Sequence, residues 1–168
     1  MKKVLSVIMA LALSMCLFTA CSSEGEATAT YDVNEVVTKI NDAVPVAMSG
    51  EVTEEYLTVM MGINMEDVAS YAGLMSMANV SADCLIVIEA AEGKIDTIKE
   101  ALETTKANIT SSFELYLPDQ FEKAQAGRVV VKGNYAVLAI LGDNQTIADS
   151  GVEEAYKAVD TAIDEAFK

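Results

Sequence analysis

Between Arg128 and Leu141 the order of residues permits little besides a β-hairpin. Arg128-Val129-Val130-Val131-Lys132 and the apolar segment Tyr135 to Leu141 flank Gly133-Asn134, and a Gly-Asn pair between two such runs fits a two-residue turn. A helical pattern follows. Ser150 and Glu153 are spaced as a capping box, and Val152, Ala155, Tyr156, Val159, Ala162, Ile163 and Ala166 share one face.

The same order of elements occurs upstream. Val68 to Met77 and Cys84 to Ala90 flank Asn79-Val80-Ser81-Ala82-Asp83, a segment of turn composition, and read as a second hairpin. Ile95, Ile98, Leu102, Ile109 and Phe113 then form an apolar stripe opposite Lys94, Asp96, Lys99, Glu100, Glu103 and Lys106. That spacing predicts a long amphipathic helix over 92–117, ended by Pro118. Ahead of both hairpins, Asp32 and Glu35 open a helix over 33–44 that stops at Pro45, and residues 51–61 suit a short second one. The expected fold is α+β: a four-stranded antiparallel sheet made of two hairpins, with two long amphipathic helices on one face, plus an N-terminal helix.

The amino terminus follows a different logic. Lys2 and Lys3 precede Val4 to Ala20, a 17-residue apolar stretch interrupted only by Ser6, Ser14 and Thr19. This is the layout of an export signal, and it is short for a membrane-spanning helix, which needs about 20 residues. Leu17-Phe18-Thr19-Ala20-Cys21 resembles the lipobox of bacterial lipoproteins, although Phe18 is less usual at its position. The resemblance implies that Cys21 receives a diacylglyceryl group and becomes the mature amino terminus. Two long acyl chains hold a domain on a bilayer where one does not. The other readings are an uncleaved anchor or a conventionally cleaved signal. Residues 22–30 lack a large apolar side chain and read as a flexible tether that reaches roughly 15–18 Å. The expected division is a lipoprotein signal peptide over 1–20, a lipidated tether over 21–30 and one α+β domain over 31–168.

Charge narrows the function classes. The 168 residues carry a formal −15, but beyond residue 20 nine basic residues face 26 acidic ones, a net of −17. A domain that acidic, without a basic stripe, is a poor partner for nucleic acid. It favours a cationic partner or a basic patch on a membrane protein, with attraction that weakens in salt. The chain has no histidine, and so lacks the commonest general base and metal ligand.

Among the groups that could carry chemistry, adjacent acids such as Glu54-Glu55, Glu66-Asp67 and Glu153-Glu154 diverge on a helix. Asp160 and Asp164 lie one turn apart on the same face, with Glu165 beside them. Asp143-Asn144-Gln145 through Asp149 offers loop oxygens without the pattern of a calcium loop. The acids therefore read first as a solvated surface, with a divalent-metal site as the rival. Met48, Met60, Met61, Met65, Met75 and Met77 fall within 30 residues. They read as core, as an adaptable partner surface, or as a copper(I) site, in that order. Cys84, inside an apolar run, reads as a buried hydrophobe and alternatively as a redox thiol. No catalytic, cofactor-binding or metal-ligating residue is assigned.

Ser81-Ala82-Asp83 before an apolar strand, a long charged helix, and Val129-Val130-Val131-Lys132-Gly133-Asn134-Tyr135 as the second hairpin together resemble a family of lipoproteins from Gram-positive bacteria, the domain of unknown function 4358. The resemblance extends over roughly residues 33–163. It implies an anchored extracytoplasmic domain and brings no activity or catalytic residue with it. The expectation is therefore a palmitate-bearing, membrane-anchored extracytoplasmic lipoprotein whose domain binds or interacts, without a cofactor. The alternative is an extracellular enzyme that depends on paired carboxylates or a metal.

Overall fold

The computed structural model describes residues 30–168. The expected signal peptide, nearly all of the expected tether, and the lipid-attachment residue Cys21 lie outside the described residues. The elements run α1 (Val33–Ala43), β1 (Ser49–Glu51), a π-helical turn (Tyr56–Met60), a 3-10 turn (Met65–Asp67), β2 (Val68–Ser76), β3 (Cys84–Ala90), α2 (Ile95–Phe113), α3 (Pro118–Ala126), β4 (Arg128–Lys132), β5 (Tyr135–Ile140), α4 (Asn144–Ser150) and α5 (Val152–Ala166). The strands form one antiparallel sheet in the order β1-β2-β3-β5-β4.

The two expected hairpins are present, and they join through β3 and β5, which pair from Cys84↔Ile140 to Glu89↔Tyr135. Both strands are nearly continuous apolar runs, and such runs mark a strand covered on both sides. Every residue of β5 is buried, as are all but Glu89 in β3. Leu85, Val87, Val137 and Ala139 point to the side of α1 and α5, where they meet Val36, Ile40, Tyr156 and Val159. Cys84, Ile86, Leu138 and Ile140 point the other way, toward Ile98, Leu102 and Phe113 of α2 and Ala124 of α3. Each such aliphatic side chain contributes about 1.5–3 kcal/mol when fully buried.

This corrects the expected architecture. The two long helices do not share a face: α2 covers one side of the sheet and α5 the other, because the apolar faces of both hairpins need cover. The sheet has five strands, not four. Ser49-Gly50-Glu51 has no β propensity and pairs with Leu74–Ser76 of β2 through its backbone. Next to it, Val52 donates its N–H to the Gly73 carbonyl at 2.9 Å.

Two helix boundaries also differ from expectation. α2 ends at Phe113, and Pro118 opens α3 instead of closing α2, since proline at the first helical position gives up an N–H that has no partner anyway. Ser150 does not cap α5. It ends α4, and Gly151, at φ +89°, makes the corner between them.

Gly73 of β2 lies against Val52, the residue that follows β1. A Cβ there would stand 2.8 Å from the Leu85 carbonyl oxygen and 3.0 Å from Val52 Cγ2. Gly73→Ala is therefore expected to destabilise the protein by about 1–3 kcal/mol, the usual cost of overpacking, read as a lower midpoint in urea denaturation with an unchanged slope.

Candidate functional site

The chain enters the fold at one end of the sheet. Tyr31 donates its backbone N–H to Tyr135 Oη at 2.9 Å and its hydroxyl to the Phe167 carbonyl at 2.7 Å. Tyr135 Oη donates in turn to the Tyr31 carbonyl and lies 3.2 Å from Glu89 Oε1. The Tyr31, Tyr135 and Phe167 rings meet at centroid distances of 5.1–5.8 Å, with the Tyr31 contacts edge to face. Tyr31 and Phe167, near the two ends of the described residues, are thus clasped to the start of β5. At the same end, Asn134 donates its side-chain amide to the Ala90 carbonyl, while Gly133 takes the positive φ of the turn at +59°. The Gly-Asn turn is a fastener between the hairpins.

At the opposite end a charged pair lies inside the protein. Lys123 of α3 reaches Asp83, just before β3, with Nζ to Oδ1 at 2.8 Å and side-chain exposures of 1% and 6%. The Tyr156 hydroxyl donates to the Lys123 carbonyl at 2.7 Å. Buried Gln120 accepts from the Ala82 N–H at 3.0 Å and donates to Asp119 Oδ2 at 2.9 Å. These bonds tie α3 and α5 to the sheet end. The pair is closed to solvent, so its chemistry is positioning: a substrate does not reach it.

The acids singled out by spacing have structural partners. Asp160 receives Arg128 Nε at 2.8 Å and Asp164 receives Lys132 Nζ at 2.7 Å, which staples α5 to the edge strand β4. The Arg128 guanidinium also lies 4.6 Å over the Tyr156 ring. The hydrogen bond from Lys132 holds the Asp164 carboxyl below its ordinary range. Glu165 pairs with Lys168, Glu154 with Lys157, and Glu153 lies 3.8 Å from Arg128. Asp143 caps α4 by accepting from the Thr146 N–H at 2.7 Å, which lowers its pKa. Residues 144–149, expected as a loop of oxygens, are helical. Among the described residues no group of three or more acids and cysteines is placed to hold a metal ion. Cys84 is buried, and burial, reinforced by the Asp83 charge, pushes its thiol up to about 12.

The methionines divide. Met61 is buried, and Met65 and Met75 pack against the α2 side of the sheet. Met48, Met60 and Met77 are exposed at 67–73%. Met77 donates its N–H to the Met48 carbonyl at 3.0 Å, which places both at the sheet end remote from Tyr31. Val80, Leu115 and Tyr116 are exposed at that end too, Tyr116 stacked on Phe113 at 5.7 Å. Tyr56 and Tyr71 sit at the core edge, and Tyr135 and Tyr156 are buried. A shallow groove of about 510 Å³ between α1 and α5 is lined by Lys39, Ala43, Lys157, Thr161 and Ala162 with Glu165 and holds no converging catalytic groups. No helix among the described residues is long and apolar enough to cross a membrane.

Sequence reasoning missed the Asp83–Lys123 pair, whose members are 40 residues apart. The one available signal was Lys123 itself, three residues from Gln120 on what becomes the inner face of α3. Residues 42–141, from the end of α1 to the end of β5, match the family model described as domain of unknown function (DUF4358). The match is narrower than the expected 33–163 and includes the whole sheet, α2 and α3, but not α4 or α5. No curated protein and no solved structure matches the chain.

Two measurements check this account. Lys123→Met, which leaves Asp83 buried without its partner, is expected to cost about 3 kcal/mol or more in chemical denaturation, while Asp83→Val with Lys123→Met recovers most of that loss. Cys84 is expected to resist iodoacetamide at pH 8 in the native protein and to react fully in guanidinium, read by peptide mass spectrometry.

Proposed function

The chain belongs to the family of the domain of unknown function DUF4358, and from that premise we propose that it is a lipoprotein held by Cys21 at the extracytoplasmic face of the cell membrane. Its domain there is a binding or protein-interaction module, not an enzyme. One observation carries the reading. The chain from Cys21 enters the domain at the Tyr31 clasp, whereas Met48, Met77 and Val80 are exposed at the other end of the sheet. β3 separates these ends by roughly 20 Å, at about 3.4 Å per residue. A fold tied down at one end and apolar at the other suits presentation of a surface to something beyond the membrane. The engagement of Asp160, Asp164 and Glu165 in ion pairs also supports a binding role over carboxylate catalysis.

Cys21→Ala is expected to move the protein from the membrane fraction to the soluble or secreted fraction and to abolish metabolic labelling with an alkyne fatty acid. Unchanged labelling would overturn the anchor.

A further inference from the structure

The exposed apolar residues at the sheet end remote from Tyr31 come from three separate segments that the fold fastens together. Met48 is joined to Met77 by a backbone hydrogen bond of 3.0 Å. The turn that carries Val80 is closed by Ser81 donating to the Ala78 carbonyl and Ser76 to that of Asp83. The third segment is fixed by Gln120, which holds the Ala82 N–H, and by Phe113, which packs in the same cluster as Ala82 and Cys84 beneath Tyr116. Met48 is 73% exposed, Met77 67%, Val80 65% and Leu115 94%. Methionine at such a surface adapts to a partner's shape, and apolar exposure gathered in one place marks an interaction site.

Charge decides what can cover it. Residues 40–93, which supply β1, β2, β3 and the Val80 turn, contain neither lysine nor arginine; of their nine acids, Glu66, Asp67, Glu89 and Glu92 lie toward the Tyr31 end and Asp83 is paired with Lys123. Residues 107–122, around Leu115, contain Glu114, Asp119 and Glu122 and again no cation. Lys123, the next cation along the chain, is buried against Asp83, and Arg128, at this end of β4, is engaged by Asp160. Glu114, Asp119 and Asp143 border this end, are exposed, and form no ion pair among the described residues. A bilayer rich in anionic lipid would be repelled by such a rim, and a second copy of the chain would bring charge of the same sign. A segment with apolar side chains on one face and lysines or arginines at its borders matches both features.

We propose that this sheet end, carrying Met48, Met77, Val80, Leu115 and Tyr116 inside an acidic rim, docks a cationic amphipathic segment of a partner protein. The proposal rests on the interaction-module reading and adds to it the surface and the chemistry of the partner.

The test uses the full chain in phosphocholine nanodiscs and an 18-residue helical peptide of leucine and lysine that carries one photo-leucine. Its control is the same peptide with glutamate for lysine. The lysine peptide is expected to bind, more weakly as salt rises, and to leave its adducts on residues 48, 77–80 and 115–116. Met77→Ser with Leu115→Ser leaves the net charge unchanged and removes only exposed side chains. It is expected to weaken binding about tenfold or more, the factor lost with buried apolar anchors. Adducts scattered over the acidic faces of α2 and α5, an unaffected double variant, equal binding of the glutamate peptide, adducts between copies, or no binding would each overturn the proposal. The same measurement on the Cys21→Ala chain without nanodiscs is expected to give the same binding and adducts, so failure here is separable from failure of the anchor.

Discussion

Burial of β3 and β5 on both faces is the constraint that organises the rest of the molecule. Two adjacent strands with hardly a polar side chain between them cannot face water on either side, so each face of the sheet must recruit its own helices. α1 and α5 meet that need on one side and α2 with α3 on the other. The edges are then made by what remains: the five-residue β4, ended by Arg128 and Lys132, and the three-residue β1. Short or charged edges resist pairing with another chain. The ion pairs from β4 to α5 follow from the same layering, because Arg128 and Lys132, two residues either side of Val130, point to the face that α5 covers.

The Asp83–Lys123 pair sits where this layering is hardest to complete. α3 is short, and it must pass from the outer edge of α2 to the start of β4 across the end of the sheet. A buried ion pair is a poor source of net stability, but it is selective about position: it is satisfied only when α3 lies in one register against β3. With Gln120 on the Ala82 N–H and Tyr156 on the Lys123 carbonyl, it fixes the junction of three elements that apolar packing alone would leave free to slide.

Both hairpins and the helices α1, α2 and α5 were legible because their signals are local: a Gly-Asn turn between valines and tyrosine, and stripes at helical spacing. β1 was not, since Ser49-Gly50-Glu51 has no β propensity of its own and is a strand only through its backbone pairing with Leu74–Ser76. The placement of α2 and α5 on opposite faces was in principle readable from the unbroken apolar runs Cys84–Ile88 and Tyr135–Leu141, which alternation with polar residues would have contradicted. The partners of Asp160 and Asp164 lie 32 residues away on β4. Helical spacing brought those acids onto one face, and only the sheet could supply the cations opposite them. The division of the methionines into core and surface likewise depends on where β2 ends.

The aromatic clasp has a mechanical meaning. Tension arriving along the chain from residue 30 is met first by the Tyr31 hydrogen bonds and the three packed rings, before it reaches the backbone of α1. Those contacts lead to Tyr135, buried at the head of a central strand, and to Phe167 beside the buried Ala166 at the end of α5. The junction behaves as a strain relief, as on a cable: tugging at the amino terminus loads the core and does not unwind the helix that begins there.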